Sequence, residues 1–376
     1  MARLPTATRR QGGLTLIELL ISMAIGLMVL GALLVVYLGS RAAYRSSDSL
    51  ARVQESGRFA IEFIAQDSRM SGFMGCLSRS LTTDNLLNLT ANPPVAFSAS
   101  ADGIRGFDGS SAASIALWTN PTAGTATPIT RVGNSDVLTV RRTGGTAVGL
   151  RVTPPSASTW AEGSGGTVTL AHNAVGLRNS DVVVLGNCEQ GVVLRVTNNP
   201  AATGIGDFPT VIEYKAAGAG SDGTQGNVTT VPDASRVAFT SASRAEVIRF
   251  VDVSYFIGLN AAGRPSLFRA AGGAVEELVD NIEDMDIVYG VDTTLPDADG
   301  TIDAYLRADQ VADWSRVVSA RISLLVVGPE DNVATDRQTY TFREMSGDGV
   351  ADAQTAADRR LRHVFTTTVS LRNRVL

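Results

Sequence analysis

The 376-residue chain has a single lysine, two histidines and two cysteines. With Lys215 alone, lysine-dependent nucleophilic chemistry and lysine-based phosphate binding have almost no candidate. His172 and His363 supply the only imidazoles, and Cys76 and Cys188 the only thiols. That is too few for most structural zinc sites or for a dense disulfide framework. No basic excess exists either: the net charge is −5, which argues against nucleic acid as a partner. Charged residues make up 18% and hydrophobic residues 44%, a profile of neither a disordered chain nor a multi-span membrane protein. G-x-S-x-G, H-E-x-x-H and P-loop patterns are missing, so the two histidines and Trp118, Trp160 and Trp314 read as structural residues. What remains is a weakly acidic body rich in Gly, Ala, Thr and Val, long enough to bury a substantial core.

One long apolar run stands at the N-terminus. Leu19 to Leu38 (LLISMAIGLMVLGALLVVYL) contains one clearly polar residue, Ser22. As a helix it would be roughly 30 Å long, the thickness of a hydrocarbon core. Arg3, Arg9 and Arg10 precede it and no acid does, which places the short N-terminus in the cytoplasm and everything after Leu38 on the exported side. The run exceeds the ~7–15 residues of a secretory h-region, and no small-residue cleavage site follows it. Glu18 stands at the membrane entrance. A carboxylate costs roughly 2–3 kcal/mol in hydrocarbon, so this one calls for a partner.

The stretch Gly12-Gly13-Leu14-Thr15-Leu16-Ile17-Glu18 closely resembles the class III signal of type IV pilins and type II secretion pseudopilins. The resemblance implies that a prepilin peptidase cuts between Gly13 and Leu14, that the new amine is methylated, and that Glu18, fifth in the mature chain, is the assembly carboxylate. Leu14 stands where Phe is usual. Loss of the leader with its three arginines would take the net charge from −5 to −8. Physically the motif is a register device: the amine at Leu14 of one subunit neutralises Glu18 of a neighbour, and a misplaced subunit leaves a charge buried and unpaired.

From Ser40 to Phe73 the pattern stays helical and turns amphipathic. Leu50, Val53, Gly57, Ala60, Ile61 and Ile64 step along one face, predicting that this half packs on its own globular domain. Phe59, Phe63 and Met70 form a neighbouring stripe, and Gly72 and Gly75 punctuate the end. After Cys76 the chain reads as β-rich, with strands expected at Ser114–Thr119, Val137–Arg142, Thr167–Ala171, Asp181–Leu185 and Gly191–Thr197. Later strands are expected at Val247–Leu259, Ser266–Ala270, Asp286–Val291, Val317–Val327, Gln338–Arg343 and Val364–Leu371, with Ala201–Ala242 read as loop-heavy.

Gln54–Cys76 (QESGRFAIEFIAQDSRMSGFMGC) narrows the resemblance to PilW-type minor pilins. SDVVVLGNCEQGVVLRVT, SYFIGLNAAGRPSLFR, ELVDNIEDMDIVYGV and the terminal LRHVFTTTVSLRNR resemble the same family. The expected fold is α+β and pilin-like, a long N-terminal helix packed on a large antiparallel β-rich domain. Its expected segments are a leader at 1–13, a transmembrane helix at 14–38, its amphipathic continuation at 39–75 and an exported globular domain at 76–376. The resemblance implies a non-enzymatic minor pilin that primes type IV pilus assembly, with a place in the tip complex. Its implied partners are the prepilin peptidase, other minor pilins, the major pilin, the inner-membrane assembly machinery and membrane lipid. Two alternatives remain: a J-like minor pseudopilin of a type II secretion system, and a tip-displayed adhesin or binding module.

Two further features need weighing. Export places Cys76 and Cys188 in an oxidising compartment, where a lone pair of cysteines is expected to form a disulfide that ties the helix end to the sheet. Asp297, Asp299 and Asp303 alternate around Gly300 like the start of a calcium loop, but Ala308 stands where the bidentate Glu is needed. No metal and no cofactor is therefore expected, and the three aspartates read as polar turns.

Overall fold

The structure, a computed structural model, describes residues 15–75, 83–85, 103–116, 129–149, 158–161, 164–201, 210–216, 227, 239, 245–272, 274–294, 299–343 and 352–374. Helix α1 (Leu16–Arg69) is one uninterrupted element of 54 residues, so the apolar run and the amphipathic stretch are a single rod. It ends at Met70, whose amide donates to the carbonyl of Asp67. Gly72 then takes φ +73°, a left-handed conformation that only glycine adopts at little cost.

Among the described residues the remaining elements are α2 (Ala112–Ala116), seventeen strands and two short 3-10 helices at Trp314–Arg316 and Arg372–Arg374. β1 (Thr83–Asn85), β2 (Ile104–Phe107), β3 (Val137–Gly149), β6 (Val182–Gly186), β7 (Gly191–Arg195), β9 (Glu246–Leu259), β10 (Pro265–Ala271) and β11 (Ala274–Asp280) form an eight-stranded sheet. Its spine is β9. Strand β3 lies along one edge of β9, while β10 and β6 share the other. All pairings in this sheet are antiparallel except β1 with β7. A four-stranded antiparallel sheet has the order β13 (Ala304–Arg307), β12 (Ile282–Val291), β14 (Val317–Val327), β17 (Arg362–Ser370). Two smaller sheets are β4 (Ser158–Ala161)–β5 (Gly165–Leu170)–β8 (Thr210–Lys215), and the pair β15 (Thr339–Thr341)–β16 (Ala353–Thr355).

The largest core lies where helix and both large sheets meet. Val53, Ala60, Ile64 and Ala65 of α1 pack with Leu138, Val140, Val253 and Tyr255 of the first sheet and with Ile287, Tyr289, Ile322 and Leu324 of the second. Burying each aliphatic side chain contributes about 1.5–3 kcal/mol. A second core, built by Val168, Leu170, Val183, Leu185, Val192, Leu194, Ile212 and Tyr214, joins the three-stranded sheet to β6 and β7.

The two large sheets are also stitched through the backbone. Strand β13 covers only Val288–Val291 of β12. Next to it, the uncovered edge of β12 is met by the turn before β3. Asp136 N–H donates to the carbonyl of Met285 (2.9 Å), and Asp136 Oδ2 accepts from the Ile287 amide (2.8 Å). Ser135 Oγ accepts from the Met285 amide, and Arg343 donates to the carbonyls of Asn134 and Met285. A side chain and a turn thus take the place of a missing strand, satisfying edge groups that would otherwise be buried unpaired.

Three expectations need correction. Ser114–Thr119 was expected as a strand, but Ala112–Ala116 is a short helix, and 117–119 lie outside the described residues. There the Ser114 hydroxyl accepts from the Asp108 amide and Ser111 Oγ accepts from the Ser114 amide, local bonds that favour a helical turn over an extended chain. The stretch Ala201–Ala242, expected to be loop-heavy, contains β8, whose Thr210, Ile212 and Tyr214 face inward. Leu50, assigned to the packed face, is exposed.

Candidate functional site

The assembly end of the molecule is the start of α1. Thr15 caps the helix with φ −75° and ψ 150°, an extended residue leading into helical ones. Its hydroxyl oxygen accepts from the Glu18 amide (3.3 Å), and Glu18 Oε2 accepts from the Thr15 amide (3.2 Å) and hydroxyl (3.1 Å). This is a reciprocal capping box, so the carboxylate sits at the positive end of the helix dipole with donors of its own chain around it. Thr15 as a holder of Glu18 was missed in the sequence, although T-x-x-E before an apolar run is its signature. Gly13 and Leu14, the expected cleavage site, lie outside the described residues.

Every side chain from Thr15 to Arg45 is exposed. Leu16 is 79% exposed and Val35 70%, and among the described residues none of this half is buried against the folded domain. Such a continuous apolar surface on a soluble body would be a liability; here the helix is long and apolar enough to cross a membrane. Contact with the domain begins at Ser49, which packs under Gly328. One stretch further, Gly57 lies so close to Phe365 of β17 that a Cβ there would run into the ring.

The far end of the helix is held by a charged hub. Asp67 accepts from the buried Tyr255 hydroxyl (2.7 Å) and pairs with Arg142 (2.9 Å) and, more distantly, Arg269 (3.6 Å). Burial pushes the Tyr255 phenol well above its ordinary value, and its bond to Asp67 adds to that. Just beyond, Gly72 N–H donates to the Arg141 carbonyl (2.8 Å), and Thr143 N–H to the Phe73 carbonyl (2.7 Å). The chain leaving the helix is therefore sewn to β3. Among the described residues the helix is exposed at one end and clamped at the other.

The other candidate residues are not brought together. Asp303 is held below the ordinary carboxylate range by bonds from the Thr293 amide and hydroxyl, and Asp299 accepts from Thr301. Asp297 lies outside the described residues. Among the described residues no group of three His, Cys, Asp or Glu is placed to hold a metal. His172 Nδ1 accepts from the Ala174 amide, and His363 stacks edge-on against Phe365. Trp314 packs edge-on against Tyr289 in the core. Cys188 is exposed in the turn between β6 and β7, and Cys76, its expected partner, lies outside the described residues.

No curated protein and no solved structure matches the chain. Two family models do. The prokaryotic N-terminal methylation motif matches residues 8–34, spanning the capping box and the first half of the exposed helix. The model described as type IV pilus-assembly protein W matches residues 254–373, from within β9 to the chain's last short turn of helix. The second match covers the sheet on which α1 rests, β12 to β17, so both ends of the chain are recognised independently. The chain thus matches a PilW-type pilin with a class III signal at its N-terminus, a type IV pilus-related minor pilin.

Proposed function

We propose that this chain is a structural, non-enzymatic subunit stored in the cytoplasmic membrane and drawn into a pilus, where it primes assembly and sits in the tip complex. The observation that carries this is the division of α1: Glu18 heads an apolar half whose residues are all exposed among the described residues, and Ser49 is the first residue of the rod to be buried against the domain. Segments 1–13, 14–38, 39–75 and 76–376 then act as leader, membrane store, packed rod and periplasmic domain. Prepilin peptidase frees the amine at Leu14, and Glu18 exchanges its capping-box donors for the amine of a neighbouring subunit. Exchanging one set of donors for a full charge favours the correct register, since a carboxylate in hydrocarbon without either is costly.

A place at the tip is supported by bulk. The domain that follows the helix carries two large sheets and two smaller ones, far more than a repeating subunit packs conveniently around a central bundle. The partners on this reading are other minor pilins, the major pilin and the inner-membrane assembly machinery. Crosslinking in living cells, followed by mass spectrometry of captured partners, tests it. Pilus subunits among the captured proteins support the reading. Capture of type II secretion pseudopilins alone would make the chain a secretion subunit, and capture of neither would remove it from both machines.

A further inference from the structure

On the reading that the first half of α1 spans a membrane, the helix emerges on the exported side just past Leu38. Between Glu18 and Asp48 the chain carries no acid, yet it carries Arg41 and Arg45. Both are exposed and one helical turn apart, and neither has an ion-pair partner among the described residues. Asp48, the first acid, is already paired with Arg52 at 2.9 Å. Arg41 lies roughly 4.5 Å and Arg45 roughly 10.5 Å past Leu38 along the helix, the depth of the headgroup layer. Tyr37 and Tyr44, 61% and 74% exposed, share the stripe with them at spacings of four and seven. Amphipathic rings and cations at this depth favour the interface between hydrocarbon and water.

We propose that Arg41 and Arg45, flanked by Tyr37 and Tyr44, dock on anionic phospholipid headgroups of the exported leaflet and set the depth at which the subunit is stored. Once the leader leaves, Arg3, Arg9 and Arg10 are gone, the new amine at Leu14 is offset by Glu18, and these two arginines are the nearest uncompensated cations flanking the span. The charge asymmetry across the membrane is then reversed relative to the precursor. The lipid contact on the exported side holds the rod in place until assembly draws it out. Attraction of this kind is screened by salt within a Debye length of about 8–10 Å, so cations farther along the helix, such as Arg58, do not share in it.

The test uses the full chain in mixed micelles with equal amounts of phosphatidylglycerol and phosphatidylcholine, with retained lipid counted by native mass spectrometry. The wild-type chain is expected to retain phosphatidylglycerol preferentially. Arg41→Gln with Arg45→Gln is expected to lower that preference by roughly five- to thirtyfold, and Arg58→Gln to leave it unchanged. A wild-type chain with no preference, or a double variant that keeps it, overturns the assignment. So does a double variant that keeps the lipid preference but loses crosslinks to neighbouring subunits, which would make the pair a protein-docking surface. Wild-type chain released from vesicles by alkaline extraction would overturn the membrane-spanning reading itself, a failure separable from the first.

Discussion

The Tyr255 hydroxyl lies 2.7 Å from a carboxylate oxygen of Asp67, joining the middle strand of the larger sheet to the last turn of a 54-residue helix. The contact is buried, and Arg142 approaches the same carboxylate from β3. Tyr255→Phe removes the donor while keeping the ring, so it isolates this bond. A hydrogen bond to a charged group contributes about 1.5–3 kcal/mol, and a loss of that order in denaturant unfolding of the full chain in detergent is expected. An unchanged midpoint would mean that the arginines alone hold the helix end.

Gly57 is where the helix meets β17, and the expected sign of its substitution is set by a clash. Alanine would ordinarily favour a helix interior by about 1 kcal/mol over glycine. Here its Cβ would enter the Phe365 ring, which is hemmed in by His363. Gly57→Ala is therefore expected to destabilise the chain by about 1–3 kcal/mol, and Phe365→Ala in the same chain to restore the helix contact. If the single variant melts at or above the wild-type temperature, the helix stands off the sheet at this point.

The junction between the sheets makes stability depend on pH. Burial pushes the Asp284 carboxyl up to about 6, with Arg343 acting against it. Burial likewise raises Asp136, again opposed by Arg343. Both hold protons in the folded chain at pH values where the unfolded chain, with carboxyls near about 4, has lost them. The contribution of Asp284 to stability therefore falls as pH rises from about 4 to about 6 and is flat above that, and the contribution of Asp136 falls in the same direction. Asp303 and Asp358 behave oppositely: held below the ordinary range by Thr293 and by Arg362, they withdraw stability only as pH falls below about 4. Melting curves at pH 5 and 7 are expected to show a smaller difference for Asp284→Asn than for the wild type. Equal differences would place the titration elsewhere.

The cysteines give a chemical test of the helix exit. Gly75, beside Ile248, is the last described residue before Cys76. The chain returns as β1, which pairs with β7 from Gly191 onward, just after the turn that carries Cys188. A bridge would close a loop of 112 residues (188 − 76), worth about 4–5 kcal/mol in the chain-entropy model. Thiol labelling of the exported, denatured and unreduced chain is expected to find no reactive thiol; two per chain would reject the bridge.

Much of this architecture is legible residue by residue, and the gaps have physical causes. The helix could be read because its apolar run and its 3.6-residue periodicity are local signals, and Val53, Gly57, Ala60 and Ile64 do face the core. Strands such as β9 and β14 announce themselves by long runs of β-branched and aromatic residues. β8 hid because its alternation spans six residues inside a Gly- and Ala-rich neighbourhood. Asp67 gave no signal in the sequence, because its partners Arg142 and Tyr255 are 75 and 188 positions away. Asp136, bonded across 151 positions to β12, is of the same kind. Glu18 was legible because its motif is contiguous; Thr15 needed only one more step, from motif to cap.

The most direct measurement concerns Glu18 itself. Glu18→Ala removes the carboxylate without adding any cost in lipid, so membrane insertion and cleavage after Gly13 are expected to proceed as in the wild type. Thr15→Ala removes the cap but leaves the carboxylate, and so separates helix capping from pairing between subunits. Incorporation is read by crosslinking to other pilins and by counting pili on cells that carry each variant. The expected result is mature, membrane-inserted Glu18→Ala protein with incorporation lost and few pili, while Thr15→Ala still assembles. Normal pilus number and normal crosslinks in the Glu18→Ala cells would contradict the assembly role.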